Sequence, residues 1–146
     1  MSEASKCRLR MWLRLLAVTR KSENRLREFL RVNHRTTLPR FDAMVALHRC
    51  PEGMTMGELS RKLLVSNGNS TAVIDRLEKE GLVRRKPSEA DRRTVYVTLS
   101  EEGLRQFERF AESHEREIET MFSGLTESDI DTLTAILKRM GKGETE

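Results

Sequence analysis

Apolar positions recur at helical spacing along most of this chain and alternate in only one stretch. Between about residues 8 and 33, Trp12, Leu15, Leu16, Val18, Leu26, Phe29 and Leu30 stand among charged positions, mostly arginine. That spacing predicts an amphipathic helix too long for a small domain to cover alone. Pro39 suits the first turn of a second helix carrying Phe41, Met44, Val45, Leu47 and His48, which ends near Cys50-Pro51-Glu52-Gly53. Thr55-Met56-Gly57-Glu58 reads as a capping box, in which the Thr55 hydroxyl takes an orphan N–H and Glu58 reaches back. The helix it opens carries Leu59, Leu63 and Leu64. Ser66 is then expected to cap a helix from about Asn67 to Glu80, with Val73, Ile74 and Leu77 inward and Gly81 just past its end. Two short capped helices joined by a turn make a helix-turn-helix over residues 55–80.

After Gly81 the period changes from 3.6 to 2. Leu82 to Pro87 and Thr94 to Leu99 read as two strands around the polar loop 88–93, so a hairpin over 82–99 follows the helix-turn-helix directly, as a wing. A long helix from Ser100 carries Leu104, Phe107, Phe110, Ile118 and Met121. Thr126-Glu127-Ser128-Asp129 caps a final helix with Ile130, Leu133, Ile136, Leu137 and Met140. The expected fold class is mainly α: an α+β winged helix-turn-helix domain over 38–100, with terminal helices 8–33 and 104–140 forming a dimerisation domain. The terminal stripes have no other evident cover than each other and a second copy of the chain, so a homodimer is expected.

Composition adds an asymmetry. Residues 1–50 hold 12 Lys/Arg against 4 Asp/Glu, residues 51–99 hold 9 against 7, and residues 100–146 hold 6 against 12. A basic first half suits an anionic partner without saying which. Cys7 and Cys50 lack metal-ligand spacing, His34, His48 and His114 are scattered, and no metal or cofactor is expected. Arg14 interrupts the apolar part of the N-terminus, so it does not read as a signal peptide. No stretch approaches the roughly 18 apolar residues of a membrane span. A cytoplasmic protein with reduced thiols and no membrane contact is expected. There is no Ser/His/Asp order, HExxH, CxxC or glycine-rich phosphate loop, and the acidic run Glu112 to Glu119 reads as a solvated helix face, so an enzyme is not expected.

A recognition helix reads base edges with the first turns of its outward face. With Ser70, Val73, Ile74 and Leu77 inward, the outward set is Gly68, Thr71, Ala72 and Asp75, flanked by Asn67, Asn69 and Arg76. Asn pairs with adenine, Thr offers a hydroxyl or a methyl to thymine, and Gly68 permits close backbone approach. Ser66 to Asn69 would also suit a plain turn or hairpin, but the next ten residues keep helical spacing. Ser70 reads as a small packing residue. In the wing, Arg84, Arg85, Lys86, Arg92 and Arg93 fall within ten residues. They are either a solvated charged hairpin or, beside a helix-turn-helix, cations for the minor groove and phosphates. Asp91 is expected to hold one of these arginines. The candidate contacts to double-stranded operator DNA are thus Ser66, Asn67, Gly68, Asn69, Thr71, Arg76, Arg84, Lys86, Asp91, Arg92 and Arg93.

Residues about 10–140 resemble the MarR family of winged-helix regulators. The likeness is carried by Met56-Gly57-Glu58-Leu59-Ser60, by the run Val73 to Arg85 (VIDRLEKEGLVRR), and by the wing. There the family signature D-x-R-x-x-x-V-x-L-[ST] falls on Asp91, Arg93, Val97, Leu99 and Ser100, followed by Gly103. The resemblance implies a triangular homodimer that binds a pseudopalindromic operator and is usually released by a small ligand. Thr37 to Asp42 and Leu64 to Asn69 are similar to regulators of aromatic-acid catabolism, some of which answer to aromatic acyl-CoA thioesters.

A ligand-responsive repressor is therefore expected, released by a small anionic aromatic effector, either an aromatic acid or an aromatic acyl-CoA. The expected pocket lies between the first two helices and the base of the winged domain, with Trp12, Leu16, Arg20, His34, Arg40, Phe41, Met44 and His48 as its residues. Apolar walls with a few cations suit an aromatic ring bearing a carboxylate or phosphates; the same arginines could instead be solvated or meet operator phosphates. Peroxide sensors of the family use a first-helix cysteine with tyrosine partners. Cys7 stands near that place, but the chain's one tyrosine is Tyr96. A redox-sensing regulator using Cys7 and a protein-interaction module are the alternatives.

Overall fold

A computed structural model describes residues 1–63 and 67–141. Their elements run α1 (Glu3–His34), α2 (Leu38–His48), α3 (Met56–Leu63), α4 (Asn67–Lys79), β1 (Val83–Pro87), β2 (Val95–Leu99), α5 (Glu101–Met121) and α6 (Glu127–Gly141). The chain forms two compact units, Met1–Ser113 and the part from His114 onward.

Local chemistry explains the element boundaries. Ser2 caps α1 by accepting from Ser5 N, so the helix starts five residues before the expected position. At its other end Arg35 turns left-handed at φ 50° and its N–H returns to Leu30 O. Thr37 caps α2 with Pro39 in the first turn. The capping box before α3 is reciprocal: Glu58 N donates to Thr55 Oγ1 at 3.2 Å and Thr55 N to Glu58 Oε2 at 3.1 Å. At the end of α4, Gly81 has φ 75°, Gly81 N donates to Glu78 O, and Leu82 N donates to Leu77 O at 2.9 Å. These two bonds satisfy the last carbonyls and turn the chain into β1. The expected cap Ser66 and the turn residues Leu64 and Val65 lie outside the described residues.

β1 and β2 pair antiparallel, with Val83 opposite Leu99 and Arg85 opposite Val97. Met54 adds a one-residue bridge to Val97, a connection that alternation did not reveal because it involves a single residue. Gly53, at φ 99°, makes this approach possible; a side chain there would press on Thr98.

The core of the first unit gathers Leu30 of α1, Phe41, Met44 and Leu47 of α2, Leu59 of α3, Ile74 and Leu77 of α4, Val83, Val97, and Phe107 and Phe110 of α5. The sequence placed the borders of the winged domain at 38 and 100, yet Leu30, Phe107 and Phe110 complete its core. These three side chains belong to the same buried cluster as those of the short helices. In the second unit, Asp129 N donates to Thr126 Oγ1 at 3.1 Å and Thr126 N to Asp129 Oδ2 at 3.0 Å, a capping box for α6. None of the residues of α6 is buried.

Candidate nucleic-acid interface

The inward stripe of α4 is as its periodicity implies: Ser70, Ile74 and Leu77 are fully buried and Val73 is half-buried. Among the described residues the Ser70 hydroxyl has no hydrogen-bond partner, and it serves as a small packing group. Asn69, Thr71, Ala72, Asp75 and Arg76 are exposed on the other side. Asn67 and Gly68 lie in the first turn of α4.

The wing stands on one flank of this helix, and Arg85 holds it there. Its guanidinium donates to Asp75 Oδ1 at 2.5 Å and to Glu78 Oε1 at 2.9 Å. Arg85 shares the inward strand face with Val83, whereas Arg84 and Lys86 are exposed. The bond that Arg85 donates to Asp75 is absent from the sequence expectations, although period 2 in the strand and the i, i+3 carboxylates of the helix both point to it.

Asp91 corrects an expectation. It makes no ion pair with an arginine among the described residues. Its Oδ1 accepts from Arg93 N at 3.0 Å and its Oδ2 from Thr94 Oγ1 at 3.5 Å, while Ser88 N donates to Thr94 O at 2.8 Å. A short carboxylate reaches its own turn's backbone more readily than a long, solvated side chain. Asp91 thus shapes the loop that presents Arg92 and Arg93. Among the described residues Arg84, Lys86, Arg92 and Arg93 have no carboxylate within ion-pair distance, and all are exposed.

Ser100 fixes the base of the wing. Its hydroxyl donates to Gly81 O at 2.6 Å and accepts from Gly103 N at 3.0 Å, so one buried side chain joins the end of α4 to the start of α5.

The eight residues expected to bind an effector do not form one site. Phe41 and Met44 are core residues, 2% and 1% exposed, because α2 turns its apolar stripe into the domain. Trp12, Leu16 and Arg20 lie along α1, with Trp12 half-exposed. Ser113 Oγ donates to Phe110 O, so the 2.5 Å contact between His34 Nε2 and Ser113 Oγ is a bond donated by the imidazole. Burial lowers the His34 pKa, and Phe29 and Phe110 pack against its ring. His48 packs at a tilt against Phe107 beside a separate cleft of about 430 Å³ walled by Leu47, Pro51, Leu99 and Leu104, with Glu101 and Glu108 also on its lining. Arg40 is ion-paired with Glu80 at the end of α4, far in role from the other seven. Cys7 is exposed and Cys50 is half-buried. Among the described residues no group of His, Cys, Asp and Glu could hold a metal ion, and no helix is long and apolar enough to cross a membrane.

Residues 36–95 match the sequence model of the MarR family. The chain is 34% identical over 84 residues to the HTH-type transcriptional regulator MhqR of Bacillus subtilis, a match covering 58% of each chain, so it spans less than two thirds of that relative. A MarR family transcriptional regulator from Silicibacter pomeroyi superposes with a TM-score of 0.83 at 28% identity, covering 98% of this chain and 99% of its own. A mutant MarR from E. coli, solved with operator DNA, superposes with a TM-score of 0.79 at 26% identity, covering 95% of this chain and 99% of its own. The proteins it resembles are regulators rather than enzymes.

Proposed function

From a MarR-family winged helix-turn-helix at residues 36–95, set in a chain with the family's whole fold, we propose a DNA-binding transcriptional regulator that grips a pseudopalindromic operator as a homodimer. The observation that carries this reading is the pairing of an exposed polar face of α4 with a wing four of whose cations have no carboxylate partner among the described residues. Asn69, Thr71 and Arg76 face outward on α4, and Arg84, Lys86, Arg92 and Arg93 project from the hairpin that Arg85 ties to it. Polar side chains on a helix suit base edges in the major groove, and arginines on a wing suit the minor groove and phosphates. Ser66, Asn67 and Gly68, at or before the helix start, belong to the same proposed contact set.

The homodimer is supported by apolar surface left over in each unit. Ile130, Leu133, Ile136, Leu137 and Met140 of α6 are 38–47% exposed, and Leu9, Met11, Trp12 and Leu13 of α1 are 47–54% exposed. Stripes of this size on a small chain mark an interface, and a two-fold pair of reading heads matches a two-fold operator.

Repression relieved by a small anionic aromatic acid or its CoA thioester completes the proposal. The likeness of residues 37–42 and 64–69 to regulators of aromatic-acid catabolism supports it. Operator fragments selected from genomic DNA, then titrated with Arg93→Ala protein, test the core of the reading. The variant should lose about 1–3 kcal/mol of binding energy; unchanged affinity removes the wing from the interface. Failure of both aromatic acids and their CoA thioesters to release the complex removes the effector.

A further inference from the structure

The junction of α1 and α2 builds a cationic cleft against the flank of α4 that faces away from the wing. Its volume is about 600 Å³, and Arg31, Arg35, Thr37 and Arg40 line it together with Ala72 and Arg76 of α4. The left-handed turn at Arg35 brings the last turn of α1 beside the first turn of α2, and so sets three of these guanidiniums on one wall.

The positive charge of the cleft exceeds what the protein itself neutralises. Arg31 meets Glu28 at 2.6 Å, with both side chains largely exposed. Arg40 pairs with Glu80, and Arg76 Nε lies 3.6 Å from the same carboxylate. Arg35 has no ion-pair partner among the described residues. Four guanidiniums thus share two carboxylates. Arg40 shows the strain: its side chain is 14% exposed, and its buried Nε has no hydrogen-bond partner among the described residues. Burial, and then the charge of Arg76, lower its pKa. A further oxyanion would relieve this imbalance, and guanidiniums with hydroxyl groups are the donors a phosphate takes.

The position of the cleft identifies the oxyanion. By helical geometry Asp75 and Glu78, which hold the wing, mark one flank of the outward face of α4, and Ala72 and Arg76 mark the other. A helix in the major groove has a sugar–phosphate strand on each flank. The wing serves one. We propose that the cleft of Arg35, Thr37, Arg40 and Arg76 seats a backbone phosphate of the second strand, adding a sequence-independent anchor that the α1–α2 junction supplies beside the helix-turn-helix. This inference rests on the DNA-binding reading above.

The test uses the full chain, with an operator duplex and an unrelated duplex titrated between 50 and 200 mM salt. Arg35→Asn removes the charge while keeping a residue tolerant of the left-handed conformation, and an unchanged thermal midpoint checks that the fold is intact. One lost phosphate contact lowers the slope of log affinity against log salt by about 0.9, so the fourfold salt increase should weaken the variant roughly threefold less than the wild type. The loss at low salt should be the same on both duplexes. An unchanged slope, or a loss confined to the operator, overturns the proposal. So does protection of the wild type, but not Arg35→Asn, by inorganic phosphate at fixed ionic strength with DNA binding unaffected, since the cleft would then take a free anion. Arg93→Ala in the same titration separates the two readings: if the wild type binds neither duplex, DNA binding itself has failed. If the wing variant weakens binding and Arg35→Asn does not, only the anchor has failed.

Discussion

The guanidinium of Arg85 donates to Asp75 Oδ1 at 2.5 Å, tying the wing's first strand to the outward-facing side of α4. Glu78 Oε1 takes a second bond from the same side chain at 2.9 Å. Two carboxylates one turn apart on α4 therefore fix where β1 stands, and with it the loop that carries Arg92 and Arg93.

Arg85→Ala should reduce DNA affinity more than it reduces stability. Both acidic partners are about half exposed, so the fold should lose only about 0.5–1 kcal/mol. Arg85→Lys should not restore affinity, because one ammonium cannot reproduce the two-pronged grip. Denaturant midpoints and operator titrations on the same preparations check both parts; full affinity in Arg85→Ala would show that the wing positions itself without this clamp.

At Gly103, α5 closely passes the backbone of Leu82, the residue that leads into β1. A Cβ built there would lie 2.0 Å from the carbonyl oxygen of Leu82, which is backbone and cannot swing aside. Gly103→Ala should destabilise the protein by about 1–3 kcal/mol, whereas Gly124→Ala, with nothing within 4 Å of its Cβ, should change little. Urea unfolding of the two variants makes the comparison, and equal midpoints would contradict the close approach.

Lowering the pH through the ordinary histidine range should weaken the first unit. Burial holds the His34 pKa below its usual 6.5. The unfolded chain therefore takes up the proton first, and the contribution of His34 is fully present above about pH 6.5 and declines as the pH falls toward the lower folded value. Replacement by Gln, which keeps a donor for Ser113, should flatten that part of the stability profile. A profile as steep as the wild type's would assign the effect to another group.

Leu133→Glu tests the proposed dimer. Leu133 is 45% exposed in the single chain, so a charge there costs the monomer little. Across an apolar interface it would be buried without a partner, and sedimentation should shift from dimer to monomer. A variant that sediments as the wild type does would exclude the α6 stripe from the interface.

The helices were legible because each carries its own signals. Thr55 with Glu58, Thr126 with Asp129, and Gly81 at the end of α4 are local chemistry, acting within one turn of the backbone. The stripe of Ser70, Ile74 and Leu77 and the switch to alternation after Gly81 needed only the periods 3.6 and 2. The wing motif that resembles the MarR signature was legible too, and the structure gives two of its positions a physical role: Asp91 holds its own loop, and Ser100 joins Gly81 to Gly103.

What sequence alone could not place were contacts between elements whose separation in the chain says nothing about their distance in space. Arg40, His48 and Phe41 lie within nine residues, yet they go to a cationic cleft, a second cleft lined by Leu104 and Glu108, and the core. Their directions are set by how α2 rolls against α4 and α5. Arg40 meets Glu80 forty residues away, and Arg85 meets Asp75 across a turn. The sequence determined which helices and strands form, since caps and apolar periods act over a few residues. Only the tertiary structure decided which charged side chains face one another, because an ion pair depends on a few ångströms that packing alone supplies.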